Sequence, residues 1–269
     1  MGTSQWHLET KTQSLRGLIM KIAAIIPARM AATRFPNKPL APFLGLPMIE
    51  HVRRRVSLCK SLSEVIVATC DQEIIDVVTK NGGKAVMTSD KHERCTDRIA
   101  EAALGIDADI IVNVQGDEPL FNPEMIDQVV APLLEDKSLP SSNLMTKIVD
   151  DEEFNNPNAV KVVVDLKGNL LYASREAIPS VLKAETKNFD KWKQLGIIAF
   201  RSDFLQVFSK LEPTPLEKIE SVDMNRALDH GYRVKMVETK ARMIGVDVPE
   251  QVAEVEALLK VDPLLKQYL

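Results

Sequence analysis

The chain has 269 residues, 45% hydrophobic and 27% charged, with a formal net charge of −4; it can bury a substantial core and has no global electrostatic pull toward nucleic acid or an anionic membrane. Three scattered cysteines, Cys59, Cys70 and Cys95, exclude a disulfide framework and point to a reducing, cytoplasmic setting. The longest apolar run, 22–26, stops at Pro27, far short of the ~20 residues that a membrane-spanning helix needs.

Residues 1–19 mix Glu9, Lys11 and Arg16 with polar residues and read as a leader, a tag or a loose tail, not a secretory signal. The fold is expected over 20–269. From Met20 onward, short β-branched runs alternate with amphipathic segments, the pattern of βαβ units that build a mainly parallel sheet. Strand 22–26 opens it. A helix follows over 47–60, with Met48, Val52, Val56 and Cys59 as its apolar positions and Pro47 near its first turn. Arg53, Arg54 and Arg55 read as its wet face, since no aromatic residues interleave with them to stack bases. Next come a strand at 65–69, a helix at 74–80 stopped by Gly82 and Gly83, a strand at 85–88 and a helix at 96–104.

Strand 110–114 has the most buried pattern and runs into Gln115-Gly116-Asp117-Glu118-Pro119. Polar groups therefore stand just past its carboxyl end, where open α/β sheets bind ligands. Between 141 and 200 the texture changes to strand-like pieces at 144–149, 160–165, 170–174 and 195–200, which predicts a small antiparallel insertion and a candidate dimer contact. Helices at 216–230 and 249–260 flank a strand at 233–238 and close the domain.

Two features carry chemistry. Directly after the first strand, segment 27–40 holds Arg29, Arg34 and Lys38 on a stretch restrained by Pro27, Pro36 and Pro39. Cations on a restrained loop meet a polyphosphate at a lower ordering cost than cations on a free one; the alternative is a solvated basic loop. The usual glycine signatures for phosphate are absent, because Gly82-Gly83-Lys84 is followed by Ala85 and no GxGxxG occurs. The second feature is Asp117, with a distant partner in Gly245-Val246-Asp247-Val248-Pro249. Paired carboxylates suit Mg²⁺, which neutralises the charge that nucleotidyl transfer puts on the phosphates, although Asp247 could instead cap the last helix. His92-Glu93 opens like a zinc-protease motif, but Thr96 stands where the second histidine would be.

Several blocks together resemble the 3-deoxy-manno-octulosonate (Kdo) cytidylyltransferases: IIPARMAATRFPNKPL (25–40), NVQGDEP (113–119), NPNAVKVV (156–163), SREAIP (174–179), LGI (195–197), PLEKIE (215–220) and GVDVPE (245–250). The similarity runs from 21 to 259. It implies a three-layer, Rossmann-like α/β nucleotidyltransferase fold with a mostly parallel mixed sheet, a homodimer, and the use of CTP, an acidic sugar and Mg²⁺. By position, Arg29, Arg34 and Lys38 would hold the triphosphate, with Thr96 and Arg98 near the nucleotide. Asp117 and Asp247 would hold the metal, and Lys38 and Asp117 would be the catalytic pair. Gln115, Arg175 and Glu217 would lie near the sugar acid. A guanidinium such as Arg175 can take a carboxylate bidentately; its alternative is a surface ion pair.

The implied reaction is attack of the sugar's anomeric hydroxyl on the α-phosphorus of CTP, releasing pyrophosphate and forming a CMP-sugar, with Kdo the expected acceptor. Departures from the family pattern leave a modified Kdo or another acidic sugar open. Arg94-Cys95-Thr96-Asp97-Arg98 has Cys95 where the family has glycine, and Gln194 and Ile198 replace a histidine and a tyrosine around LGI. A nucleotide-sugar-dependent glycosyltransferase and a catalytically silent nucleotide-binding regulator are the competing expectations.

Overall fold

In β1 (Ile22–Ala28) all seven residues are buried. Its alternate side chains go to opposite faces, Ile22, Ala24 and Ile26 to one core and Ala23 and Ile25 to the other, as the two-residue repeat of a strand covered on both sides requires. The computed structural model describes residues 20–31, 34–183, 185, 189–241 and 243–269, so the expected leader at 1–19 lies outside the described residues.

After β1 the basic loop leads into a small hairpin, β2 (Pro42–Phe43) and β3 (Leu46–Pro47), and then helix α1 (Met48–Val56). Strand β4 (Glu64–Thr69), helix α2 (Gln72–Lys80), strand β5 (Lys84–Met87), helix α3 (Cys95–Ala103) and strand β6 (Ile110–Val114) complete the first half. Helix α4 (Glu124–Glu135), strand β7 (Ser141–Lys147), helix α5 (Asp151–Asn155), the hairpin β8 (Lys161–Val164) and β9 (Leu170–Ser174), and the long strand β10 (Trp192–Arg201) follow. Helices α6 (Ser202–Phe208), α7 (Pro215–Glu220) and α8 (Met224–Asp229), strand β11 (Val234–Glu238) and helix α9 (Val252–Val261) close the chain.

The main sheet has the order β11-β7-β10-β6-β1-β4-β5. Strands β5, β4, β1 and β6 are mutually parallel, whereas β10 runs antiparallel to both β6 and β7. One face is covered by α1, α2 and α4 through residues such as Ile49, Ile74 and Met125. The other is covered by α3, α6 and α8 through Ile99, Phe204 and Met224. The result is the three-layer α/β architecture with a mostly parallel mixed sheet.

The 141–200 region is divided: β7 and β10 are integral strands of the main sheet, and β8 with β9 forms an antiparallel pair attached to the first residues of β10. Helix α4 is missing from the sequence-based order, although Met125, Ile126, Val129, Val130 and Leu133 make a regular buried stripe. The helix expected over 216–230 is two helices, because Ser221 adopts the left-handed conformation at φ 54° and ends α7.

The three consecutive arginines of α1 are not a wet face. Arg53 and Arg54 both bind the fully buried Glu50. Arg55 is 2% exposed and donates to the Phe121 carbonyl at 2.7 Å and to Asp262 at 2.5 Å. Together with Arg54, which reaches the Tyr268 carbonyl at 3.0 Å, it ties the chain's last residues to α1. Helix α9 in turn packs Val255 and Leu259 against Phe43, Met48 and Val246, with Phe35 of the basic loop on the same cluster. This small core fixes the Gly245-Val246-Asp247 segment relative to the loop after β1.

Candidate active site

From β1 the chain moves to β4 on one side, while β6 lies on the other. The carboxyl ends of β1 and β6 therefore flank the crevice where strand order reverses. Their close approach needs a residue without a side chain: a Cβ on Gly116 would fall 2.7 Å from the Pro27 carbonyl oxygen. Two joined cavities open there. The smaller, about 380 Å³, is lined by Arg29, Arg34, Lys38, Asp117 and Asp247, with Arg98 at its α3 end. The larger, about 850 Å³, shares Arg29, Arg34, Asp117 and Asp247 and extends toward Arg175 and Gln194.

Residues far apart in sequence meet in the smaller cavity. Lys38 donates from Nζ to Asp117 Oδ2 at 2.7 Å and to the Val246 carbonyl at 2.7 Å. Arg34 donates to Asp247 Oδ1 at 3.0 Å, and the Val246 N–H reaches the Asp117 carbonyl at 3.0 Å. The two pairs differ in environment. Lys38 is 13% exposed, whereas the Arg34 and Asp247 side chains are 60% and 50% exposed. A half-exposed pair contributes little stability, so Arg34 can exchange its carboxylate for a phosphate at small cost. Arg34→Ala is accordingly expected to weaken nucleoside triphosphate binding about tenfold without lowering the thermal midpoint; unchanged affinity by calorimetry would make Arg34 an ordinary surface residue.

The carboxylates can accept a hard divalent cation. Among the described residues no cluster of three or more His, Cys, Asp or Glu side chains forms a protein cage. Mg²⁺ does not need one, because it binds through one or two carboxylates and completes its shell with water and substrate phosphates. Asp117 and Asp247 fit that donor set. Beside them Glu118 Oε2 is buried without a hydrogen-bond partner among the described residues. Burial, with the Asp117 charge beside it, pushes the Glu118 carboxyl up to about 8.

That shift has a definite sign. A folded-state carboxyl held above its unfolded value binds more protons than the unfolded chain, so it contributes stability below pH ~4.5 that is lost as pH rises through about 8. In metal-free buffer the thermal midpoint should fall between pH 5 and 8, and Glu118→Gln should flatten that slope. An unchanged slope in the Gln variant would assign the effect elsewhere.

The α3 end of the cleft is built by buried polar groups. Thr96 is 1% exposed and donates to Asp223 Oδ2 at 2.7 Å. Arg98, 3% exposed, bonds to Thr88 Oγ1. Gln115 lies across Gly196, where an added Cβ would come within 2.4 Å of Gln115 Cγ, and its amide donates to Cys95 Sγ at 3.6 Å. Gln194 and Ile198 line the larger cavity from β10.

The structure places the remaining two expected sugar residues differently. Arg175 lines the larger cavity, but its guanidinium donates to the Glu220 carbonyl at 2.7 Å and the Pro157 carbonyl at 2.9 Å. It braces the wall instead of making a surface ion pair. Glu217 does not face this cleft. It is 1% exposed, forms a capping box with Thr214 and binds Arg226 at 2.7 and 2.5 Å, because the first turn of α7 turns its side chain inward against α8. Sequence reasoning passed over Asn113, Glu118 and Asp223, all of which line the larger cavity. Glu118 was legible as Asp117's neighbour in the Gly-Asp-Glu-Pro turn; Asp223 becomes visible only once α7 and α8 are folded together.

The model of the cytidylyltransferase family matches residues 23–238. A 3-deoxy-manno-octulosonate cytidylyltransferase of Geobacter metallireducens is 47% identical over 245 residues, 88% of this chain and 96% of that protein. One of Syntrophus aciditrophicus is 47% identical over 242 residues, covering 89% and 97%. A solved CMP:2-keto-3-deoxy-manno-octonic acid synthetase complexed with CTP superposes with a TM-score of 0.84 at 37% identity, covering 89% of this chain and 98% of its own. A 4-diphosphocytidyl-2C-methyl-D-erythritol synthase of Anaerococcus prevotii, at 18% identity and TM-score 0.59, shares the fold alone.

Proposed function

This chain belongs to the 3-deoxy-manno-octulosonate cytidylyltransferases within the cytidylyltransferase family, and from that premise we propose that it forms CMP-Kdo and pyrophosphate from CTP and Kdo. The observation that carries the reading is one crevice in which Lys38 and Arg34 already hold Asp117 and Asp247. Cations for a triphosphate and carboxylates for a divalent ion thus share a single site.

In this mechanism Arg29, Arg34 and Lys38 bind and orient the triphosphate, and Arg98 and Thr96 shape the nucleotide end. Asp117 and Asp247 would hold Mg²⁺, which when bound would supply positive charge to neutralise the phosphates. The sugar acid occupies the larger cavity against Gln115, and its anomeric oxygen approaches the α-phosphorus as pyrophosphate departs from the opposite side. Positioning and charge neutralisation supply most of the acceleration. Lys38 is held from two sides, so its ammonium is preorganised. The working enzyme is a cytoplasmic homodimer in this reading; among the described residues no helix is long and apolar enough to cross a membrane.

Gln194 and Ile198 on the cavity wall support a second reading, in which the acceptor is a modified Kdo or another acidic sugar. Both lack the imidazole and phenol that the family pattern places there, and a site lined by different polar groups discriminates between hydroxyl patterns. Pyrophosphate release measured across the four nucleoside triphosphates and a panel of sugar acids, with Mg²⁺ and with chelator, separates these outcomes. Release only with CTP, a sugar acid and Mg²⁺ is expected. No release with any pair would favour a glycosyltransferase or a silent nucleotide binder.

A further inference from the structure

Three polar side chains converge on Cys95 at the junction of the two cavities. Asn113 Nδ2 lies 3.9 Å and Gln115 Nε2 3.6 Å from Cys95 Sγ, and Thr96 Oγ1 lies 4.0 Å from it. Thr96 in turn donates to Asp223 Oδ2 at 2.7 Å. The chain of contacts has a direction, because it ends on a carboxylate that only accepts. Thr96 gives its one proton to Asp223, so its oxygen is free to accept the Cys95 S–H. The sulfur then accepts from the two amide N–H groups. Burial, reinforced by the Asp223 charge, pushes the Cys95 thiol up to about 11, so near neutrality it keeps the proton this relay needs.

A consequence falls on the cavity floor. With both amide nitrogens turned toward sulfur, the amide oxygens are left for a ligand. Asn113 is fully buried, lines the larger cavity, and its Oδ1 has no hydrogen-bond partner among the described residues. An unpartnered buried carbonyl costs free energy until a donor reaches it. The stem of Gln115 is held across Gly196, so only its amide end is left to be set by the thiol.

We propose that Cys95 is a positioning residue that fixes the donor and acceptor polarity of the sugar-side floor, presenting the Asn113 and Gln115 carbonyl oxygens to hydrogen-bond donors on the acidic sugar. This rests on the reading of the larger cavity as the sugar-acid site. A residue with no side chain at this position, as in the family pattern, leaves both amides free to rotate. This chain therefore selects its acceptor by hydroxyl or amino donors more stringently than a glycine-bearing relative.

The test compares kcat/KM for Kdo, or for whichever sugar acid supports turnover, with that for a series of its single-deoxy analogues. Wild type should prefer the parent by about 100-fold over at least one analogue. Cys95→Ala removes the sulfur and should shrink that preference at least about tenfold, raising KM for the parent sugar while KM for CTP stays within about threefold. Cys95→Ser retains an acceptor lone pair and a donor proton and should restore the preference. Thermal midpoints of both variants are measured alongside. An undiminished preference in folded Cys95→Ala, or no restoration by Ser, overturns the role of Cys95 while leaving the proposed reaction standing. A wild type that releases no pyrophosphate with any sugar acid overturns both.

Discussion

Asp117→Asn is expected to lower kcat at least ~100-fold while the protein stays folded, in line with losing a major electrostatic term at a site of charge development. The substitution keeps the side chain's size and an oxygen for the Lys38 ammonium, now 2.7 Å away, but removes the charge that would hold a divalent ion. Asp117 is 35% exposed, so the lone Lys38 charge remains partly hydrated and the fold survives. CTP affinity should change far less than kcat, because the cations of the loop after β1 are untouched. Steady-state pyrophosphate release, read beside a thermal melt, decides it. A folded variant with near-normal turnover would remove Asp117 from the metal site and with it the mechanism above.

The second large effect is on stability and falls on Glu217. Its carboxylate is buried against the Arg226 guanidinium, with side-chain exposures of 1% and 3%, and the hydrogen bonds that Arg226 donates to Glu217 raise the Arg226 pKa. Removing one member of a buried pair leaves the other charged and desolvated, at a cost of about 3 kcal/mol. Asp97, 3.5 Å from Arg226 and 26% exposed, compensates only in part. Glu217→Gln should therefore lower the thermal midpoint by about 10 °C, while KM for the sugar acid, measured where the variant is folded, stays within about twofold. The opposite pattern, an intact midpoint with a much higher sugar KM, would return Glu217 to the substrate site.

Glu217 illustrates why a motif alone can misplace a residue. Its block matches the family pattern, and a carboxylate near an acidic sugar is chemically reasonable for hydroxyl binding. Yet the Thr214 capping box and the Ser221 turn aim α7 so that Glu217 meets α8. The run Arg53, Arg54 and Arg55 misleads in the same way. Consecutive residues on a helix project about 100° apart, so these arginines cannot share one solvated face: Arg53 and Arg54 converge on Glu50, while Arg55 turns to the Phe121 carbonyl.

Local chemistry was legible from the sequence by itself. Short runs rich in apolar residues specify β1 and β6, and a proline-restrained basic segment and a Gly-Asp-Glu-Pro turn stand at their carboxyl ends, because local pattern and backbone restriction act over a few residues. Tertiary structure alone decided which of those groups meet. Lys38 and Asp117 are brought together across 79 residues and Arg34 and Asp247 across 213, through the parallel pairing of β1 with β6 and the packing of α9 beneath the basic loop. Such closures depend on the summed burial of many distant side chains, a quantity that no short stretch of residues encodes.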